Sequence, residues 1–387
     1  MRSRISAAWL AWLVVGALCL SAAGAAAVLA ASGGAKAARN LASTSTSVSA
    51  APELHVSGNE LVNAKGQRVI LHGVDRSGGE WACTQGVGIW DGPVDQASIS
   101  VIRSWDVNAV RVPLNEACWN GDSYVKSAYR GAAYRSAVVA YVKLLNRNGL
   151  VVILDLALTD GTYTGTASAC TSARATCEKP MPDKAEAVAF WTGIADTFKA
   201  DDAVIFDLFN EPYPEAAVAS EAGGWRCWLR GGSACTGLGY QAAGMQTLVD
   251  TVRSTGAKNV IMVGGITWAT DMTQWLKYEP VDPDHNLAAS WHSYNFNTCV
   301  TVACWNRQIA PVIKRVPLIA GEIGENDCAD GYIDTLMTWL DARSASYLAW
   351  AWNPDFGCKT GPSLITSYSG AATAFGAGFK AHLKSLR

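Results

Sequence analysis

The sequence predicts an α/β protein: one (β/α)8 barrel, a TIM barrel, with a small N-terminal hairpin. Three observations carry that expectation. Eight short, nearly continuous apolar runs alternate with segments of helical periodicity, the pattern of parallel strands covered on both faces by crossover helices. The chain has 387 residues, enough for one barrel of roughly 250 residues or more with insertions. No glycine-rich phosphate loop follows the first apolar run, so an open nucleotide-binding sheet has no support.

The elements follow in order. Apolar residues at 54–56 and 60–62 flank a Gly58-Asn59 turn, and a second turn follows at 63–66. This reads as a hairpin packed beneath the barrel. The first barrel strand is expected over 69–74, then a Gly- and Trp-rich loop and a helix over 94–105. Strand 109–113 leads to a helix over 132–148 that closes at Gly149, a left-handed C-cap position. Strand 150–157 is apolar apart from Asp155, and a helix over 185–199 follows. The fourth strand begins at Val204 and runs into Asn210-Glu211-Pro212, where Pro212 cannot extend the ladder. The remaining units pair a helix over 240–254 with strand 260–264, and a short helix over 271–278 with strand 287–292. Helix 305–314 precedes strand 317–322, helix 333–342 precedes strand 347–352, and a helix over 373–386 closes the chain.

Upstream, Arg2 and Arg4 precede an apolar run, with small residues at 22–25. Residues 1–31 read as a secretory signal or an uncleaved N-terminal anchor. Residues 32–52 form an Ala/Ser/Thr-rich linker, and 53–387 the barrel domain. The expected location is extracellular, with membrane attachment only if the first segment is retained. Eleven cysteines are present, and Cys19 falls in the export segment, leaving ten for five disulfides. By spacing, Cys170/Cys177, Cys227/Cys235 and Cys299/Cys304 each close a short loop after a strand. Cys83/Cys118 and Cys328/Cys358 would tie neighbouring loops together, although ten cysteines allow very many pairings and sequence alone does not fix the connectivity. None has redox or zinc spacing. A net charge of -2 with 17% charged residues gives no basic face for nucleic acid. No metal-ligand cluster or organic cofactor motif appears, and the chain is expected to be a monomer.

Carboxylates at the C-terminal ends of barrel strands stand where such barrels keep their chemistry. Two qualify: Glu211 after the fourth strand and Glu322 closing Pro317-Leu318-Ile319-Ala320-Gly321-Glu322. The stretch Val204-Ile205-Phe206-Asp207-Leu208-Phe209-Asn210-Glu211-Pro212 resembles the acid/base signature of family 5 glycoside hydrolases, retaining barrels of the cellulase-type clan. Further segments match that family. Leu71-His72-Gly73-Val74-Asp75-Arg76-Ser77-Gly78 looks like its first-strand segment, with Asp75 where asparagine is more usual. Asn108-Ala109-Val110-Arg111-Val112-Pro113 matches its second-strand Arg-x-Pro, and Trp291-His292-Ser293-Tyr294 its sixth-strand His-x-Tyr.

The resemblance implies a set of roles. Glu211 is the acid/base and Glu322 the nucleophile. Arg111 donates to the nucleophile, Asn210 binds the sugar 2-hydroxyl, His292 supports the acid/base, and Tyr294 contacts the nucleophile. His72 belongs to the first-strand segment. Trp352 is expected as the sugar-stacking platform, with Trp350 in a core layer. Trp81, Trp90, Trp119, Trp225, Trp228 and Trp268 follow strands and are candidates to line a cleft. Glu116, Glu325 and Asp327 are candidate contacts to substrate hydroxyls. One departure stands out: where the family has a third-strand histidine, this chain has Ala157. The implied activity is hydrolysis of a β-linked polysaccharide or oligosaccharide by a cellulase-like endo-β-1,4-glucanase. The alternatives are a β-mannanase or other β-glycan hydrolase, or a catalytically impaired carbohydrate-binding barrel. An α/β esterase is excluded, since there is no Gly-x-Ser-x-Gly elbow.

Overall fold

Side chains alternate across a strand, so each apolar run must satisfy two environments at once. In strand Val151–Leu158, Val151 and Ile153 join an inner apolar cluster, while Val152, Leu154 and Leu156 join the outer one beneath the helices. Repeated around the chain, that division gives the barrel seen in the computed structural model, which describes residues 49–163, 165 and 170–387. The expected export segment, and most of the linker, lie outside the described residues.

The hairpin strands are β1 (Leu54–Ser57) and β2 (Glu60–Asn63), paired antiparallel. The barrel strands are β3 (His72–Asp75), β4 (Ala109–Asn115), β5 (Val151–Leu158) and β6 (Val204–Asp207). They continue with β7 (Ile261–Gly264), β8 (Leu287–Tyr294), β9 (Leu318–Gly324) and β10 (Ser346–Ala349). All eight are parallel and close in the order β10-β3-β4-β5-β6-β7-β8-β9. Leu54 and Leu61 of the hairpin join the inner cluster with Ala109, Ile205 and Ile319, so the hairpin plugs the N-terminal end of the barrel. A small antiparallel pair, β11 (Ile365–Ser367) and β12 (Ala371–Ala372), follows β10.

The outer helices stand close to their expected places, and several begin at a side-chain cap. Asp95 accepts from the Ser98 amide, Asp183 from Glu186, and Thr373 from Gly376. Three differences have local causes. The helix expected from 240 begins at Met245, because Ala242 and Ala243 bridge to Asp183 and Gly231. The helix expected over 305–314 is two, Val302–Gln308 and Ala310–Ile313, the second restarting with a proline in its first turn. A loop helix, Glu221–Arg230, was not anticipated, although Ser220 caps it by accepting from Gly223. The five disulfides join the cysteines paired by spacing. Among the described residues, no helix is long and apolar enough to cross a membrane.

Candidate active site

The inward positions nearest the C-terminal mouth are polar, and Arg111 of β4 sits at their centre, fully buried. Its guanidinium lies 3.1 Å from Asp75 on β3, 3.2 Å from Asp155 on β5, 3.0 Å from Asp207 on β6 and 2.9 Å from Glu322 on β9. It also donates to Asn210 Oδ1 at 2.8 Å. That bond uses the amide oxygen and leaves the Asn210 NH2 group as a donor. Burial acts to lower the arginine's pKa, and the surrounding carboxylates outweigh it, so Arg111 stays charged. Burial pushes Asp75, Asp155 and Asp207 upward despite the arginine. One buried cation faces several carboxyls, and proton uptake relieves the excess negative charge.

Glu322 reaches this layer through an irregularity in β9. Ser290 of β8 pairs with Ile319, yet His292 pairs with Glu322 rather than Gly321. The extra residue reverses the alternation: Ala320 and Ile323 both join the outer cluster. The bulge turns the glutamate toward the barrel mouth, a common device beside active sites. A Cβ on Gly321 would come within 3.0 Å of Ser290 Oγ and 3.2 Å of His292 Nε2, so glycine keeps these two strands close. Tyr294 Oη donates to the second oxygen of Glu322. Burial, then the charge of Glu322, holds the tyrosine's pKa well above its ordinary value, so the phenol keeps its proton.

Glu211 stands three residues beyond Leu208, whose amide still bonds Met262 O of β7 at 3.1 Å. The strand thus aims Asn210 and Glu211 over the mouth. Glu211 Oε1 is hydrogen-bonded to His292 Nδ1 at 2.9 Å, and the same nitrogen lies 3.5 Å from Glu322 Oε2. One oxygen of Glu211 and one of Glu322 lie within 4.8 Å of each other. Burial first, and Glu322 second, hold the Glu211 carboxyl well above the carboxylate range. Burial lowers His292, which keeps the imidazole neutral. The two carboxyls therefore differ in kind: Glu322 takes hydrogen bonds from a cation and a phenol, whereas Glu211 sits beside a neutral ring. Among the described residues, Glu211, His292 and Glu322 are also the trio whose spacing could hold a cation. Their facing atoms are occupied by hydrogen bonds to one another, to Arg111 and to Tyr294.

The structure brings Glu211, Glu322, Arg111, Asn210, His292 and Tyr294 together. It does not bring His72 there. That side chain begins β3, at the opposite end of the strand from Asp75, with its ring 4.6 Å from Tyr347 and Nε2 3.4 Å from Asp341. Trp352 is corrected as well. It is 1% exposed and packs edge-on against Trp105 at 4.8 Å, so no face is open to a sugar. Trp350 is the half-buried one, stacked parallel to Phe356. Strand parity misled here because β10 ends at Ala349.

Of the other tryptophans, Trp119, Trp225 and Trp228 are buried, whereas Trp81, Trp90 and Trp268 are half-buried. Trp268 stacks on Tyr213, two residues past Glu211, with centroids 4.6 Å apart. Glu116 is fully buried and bonded to the Asp160 amide, and Glu325 caps the helix Gly331–Asp341 by accepting from Tyr332 and Ile333. Asp327 is exposed and accepts from the Ala329 amide. Sequence reasoning missed Phe296, which is 55% exposed and stacked on Tyr294 at 5.0 Å. Its position two residues after the His-x-Tyr was the available signal.

Comparison with known proteins places the chain in a family. Endoglucanase N of Pectobacterium atrosepticum is 22% identical over 315 residues, covering 80% of this chain and 59% of its own length. A mannan endo-1,4-beta-mannosidase of Streptomyces lividans is 22% identical over 318 residues, covering 80% of this chain and 68% of its own. The chain thus spans well under the full length of these relatives. Among solved structures, a beta-glucanase of Saccharophagus degradans, also solved with cellotetraose, superposes with a TM-score of 0.65 at 19% identity. That match covers 88% of this chain and 95% of the other, and shares the barrel fold. The cellulase family, glycosyl hydrolase family 5, matches residues 62–356. That is most of the barrel and most of the sequence, and the chain belongs to glycosyl hydrolase family 5.

Proposed function

We propose that the chain is an exported retaining β-glycoside hydrolase acting on a β-linked polysaccharide, most simply as an endo-β-1,4-glucanase. Glu322 is the nucleophile and Glu211 the acid/base. The observation that carries this reading is the pair itself: two carboxyl oxygens within 4.8 Å, in unlike environments. That spacing suits a double displacement, because an inverting pair stands about 6.5–9.5 Å apart to admit a water.

In the first step a Glu322 oxygen bonds the anomeric carbon while the Glu211 proton passes to the departing glycosidic oxygen. In the second, water attacks the anomeric carbon, its proton returns to Glu211, and the Glu322 ester bond breaks. The raised pKa of Glu211 supports the acid role, since the proton must be present at working pH. Arg111 and the Tyr294 hydroxyl hold Glu322 in one orientation. Asn210, its oxygen taken by Arg111, has its NH2 to offer a sugar 2-hydroxyl, and Trp350 with Phe356 would supply the stacking surface. Five disulfides suit an oxidising compartment and support export.

A second reading, a β-mannanase, is favoured by the Streptomyces lividans mannosidase matching at the same 22% identity as the endoglucanase. The test is hydrolysis of soluble β-glucans, β-mannans and β-xylans by wild type, Glu322→Gln and Glu211→Ala. The expected result is one polymer class cut by wild type and spared by both variants. A wild type that binds a glycan and cuts none would overturn the enzyme reading in favour of an impaired barrel, with Ala157 as its mark.

A further inference from the structure

β8 serves both carboxyls, since His292 bonds Glu211 and Tyr294 bonds Glu322. Two residues past Tyr294, Phe296 is the one exposed aromatic side chain among the described residues. Its ring lies nearly parallel to Tyr294, with centroids 5.0 Å apart and 13° between the planes. One face is thus taken by the tyrosine that touches the nucleophile, and the other is left to solvent. The backbone around it is tied down. Asn297 Oδ1 accepts from the Tyr294 amide at 2.6 Å, and the Asn297 amide donates to Tyr294 O at 3.0 Å. Asn295 Oδ1 accepts from the Asn326 amide at 3.3 Å, and a disulfide joins Cys299 to Cys304 just beyond. A single exposed apolar residue is ordinary on a protein surface; this one is set apart by the tyrosine beneath it and the cavity beside it. Thr298 lines a cavity of about 490 Å³, whose walls include Thr267, Thr270, Asp271, Gln274 and Gln308. That volume lies in the range of small-molecule sites, roughly 300–1,000 Å³. Its hydroxyl, amide and carboxyl groups are the kinds that pair with sugar hydroxyls.

The strand order gives the side of the cut on which this ring stands. β8 lies between β7 and β9, on the Glu211 side of Glu322, whereas Trp350 follows β10 on the other side. The departing oxygen takes its proton from Glu211, so the departing sugar lies toward β8. We propose that Phe296 is a specificity-determining residue on the leaving-group side, its open face stacking on the sugar ring whose oxygen departs. The inference rests on the β-glycan hydrolase reading and adds to it the residue that holds the leaving sugar. A pyranose presents an apolar C–H face to an aromatic ring, and the polar cavity beside Phe296 can take the hydroxyls at its edge. Because the loop is fixed on both sides of the phenylalanine, stacking requires little ordering of the protein.

The experiment compares wild type, Phe296→Ala, Phe296→Leu and Phe296→Trp on two substrates. One is an oligosaccharide of the sugar that wild type cuts; the other is the matching β-glycosyl fluoride, which has no ring on the leaving side. Melting temperature serves as the fold control. The alanine variant is expected to lose roughly 10–100-fold in kcat/KM on the oligosaccharide and to stay within about twofold on the fluoride. The leucine variant keeps apolar bulk against Tyr294 without an aromatic face, and should follow alanine. The tryptophan variant should stay within about threefold of wild type on both substrates. Three results would overturn the proposal: equal falls on oligosaccharide and fluoride, which would mean that Phe296 only supports Tyr294; an alanine variant as active as wild type on the oligosaccharide; or a tryptophan variant falling as far as alanine. A wild type inactive on both substrates overturns the hydrolase reading and this subsite with it, whereas an active wild type with any of those three results overturns the subsite alone.

Discussion

His292 Nδ1 lies 2.9 Å from Glu211 Oε1, a hydrogen bond in which burial keeps the imidazole neutral and pushes the carboxyl toward its protonated form. A charged imidazolium at that distance would favour the carboxylate and strip the proton an acid needs. The neutral ring orients Glu211 without discharging it.

The pH profile follows from that arrangement. The Glu211 pKa is raised above its ordinary 4.5, so the proton is retained to higher pH and lost as pH rises through the folded-state value. The descending limb of kcat/KM against pH is expected above 4.5. A limb at 4.5 itself would show that Glu211 is not held protonated.

Tyr294→Phe removes the hydroxyl that donates to Glu322 and leaves the ring stacked on Phe296. The expected effect is a 10–100-fold fall in kcat, with KM within about threefold and little change in melting temperature. A large KM change with kcat intact would assign the hydroxyl to substrate binding instead.

Trp350 and Trp352 should separate cleanly. Trp352→Ala empties a site packed against Trp105 and is expected to cost about 3–5 kcal/mol of stability. Trp350→Ala is expected to leave the melting temperature within a few degrees while raising KM for oligosaccharides by tenfold or more. Chemical denaturation and steady-state kinetics on the two variants check this.

The sequence carried six of the eight expected site residues to the barrel mouth because a strand end is a strong positional signal. Pro212, directly after Glu211, marks a point the fourth strand's ladder does not pass. What was illegible depended on local departures from ideal strands. The bulge that turns Glu322 inward leaves no trace in the pattern 317–322. The early end of β10 exchanged the places of Trp350 and Trp352. His72 lies in a matching segment but at its wrong end, since β3 begins there.

Glu80 gives a stability signature outside the catalytic pair. It is 7% exposed, accepts from the Gly78 amide at 2.6 Å, and burial pushes its carboxyl from 4.5 up to about 8. Between those values the folded state binds more protons than the unfolded chain, so stability declines as pH rises through that window. Glu80→Gln cannot titrate and should reduce the decline by up to about 5 kcal/mol. Urea unfolding at a series of pH values from 4.5 to 8 measures it. An unchanged slope would show that Glu80 titrates normally.

The most direct test of the account is to trap the glycosyl-enzyme. Incubation with a fluorinated β-cellobioside carrying a good leaving group slows the second displacement more than the first. Mass analysis of the digested protein then locates the sugar. The account predicts one sugar per chain, attached to the peptide containing Glu322, with none on Glu322→Gln. A label on another carboxylate, or product released with inverted configuration and no label at all, would contradict it.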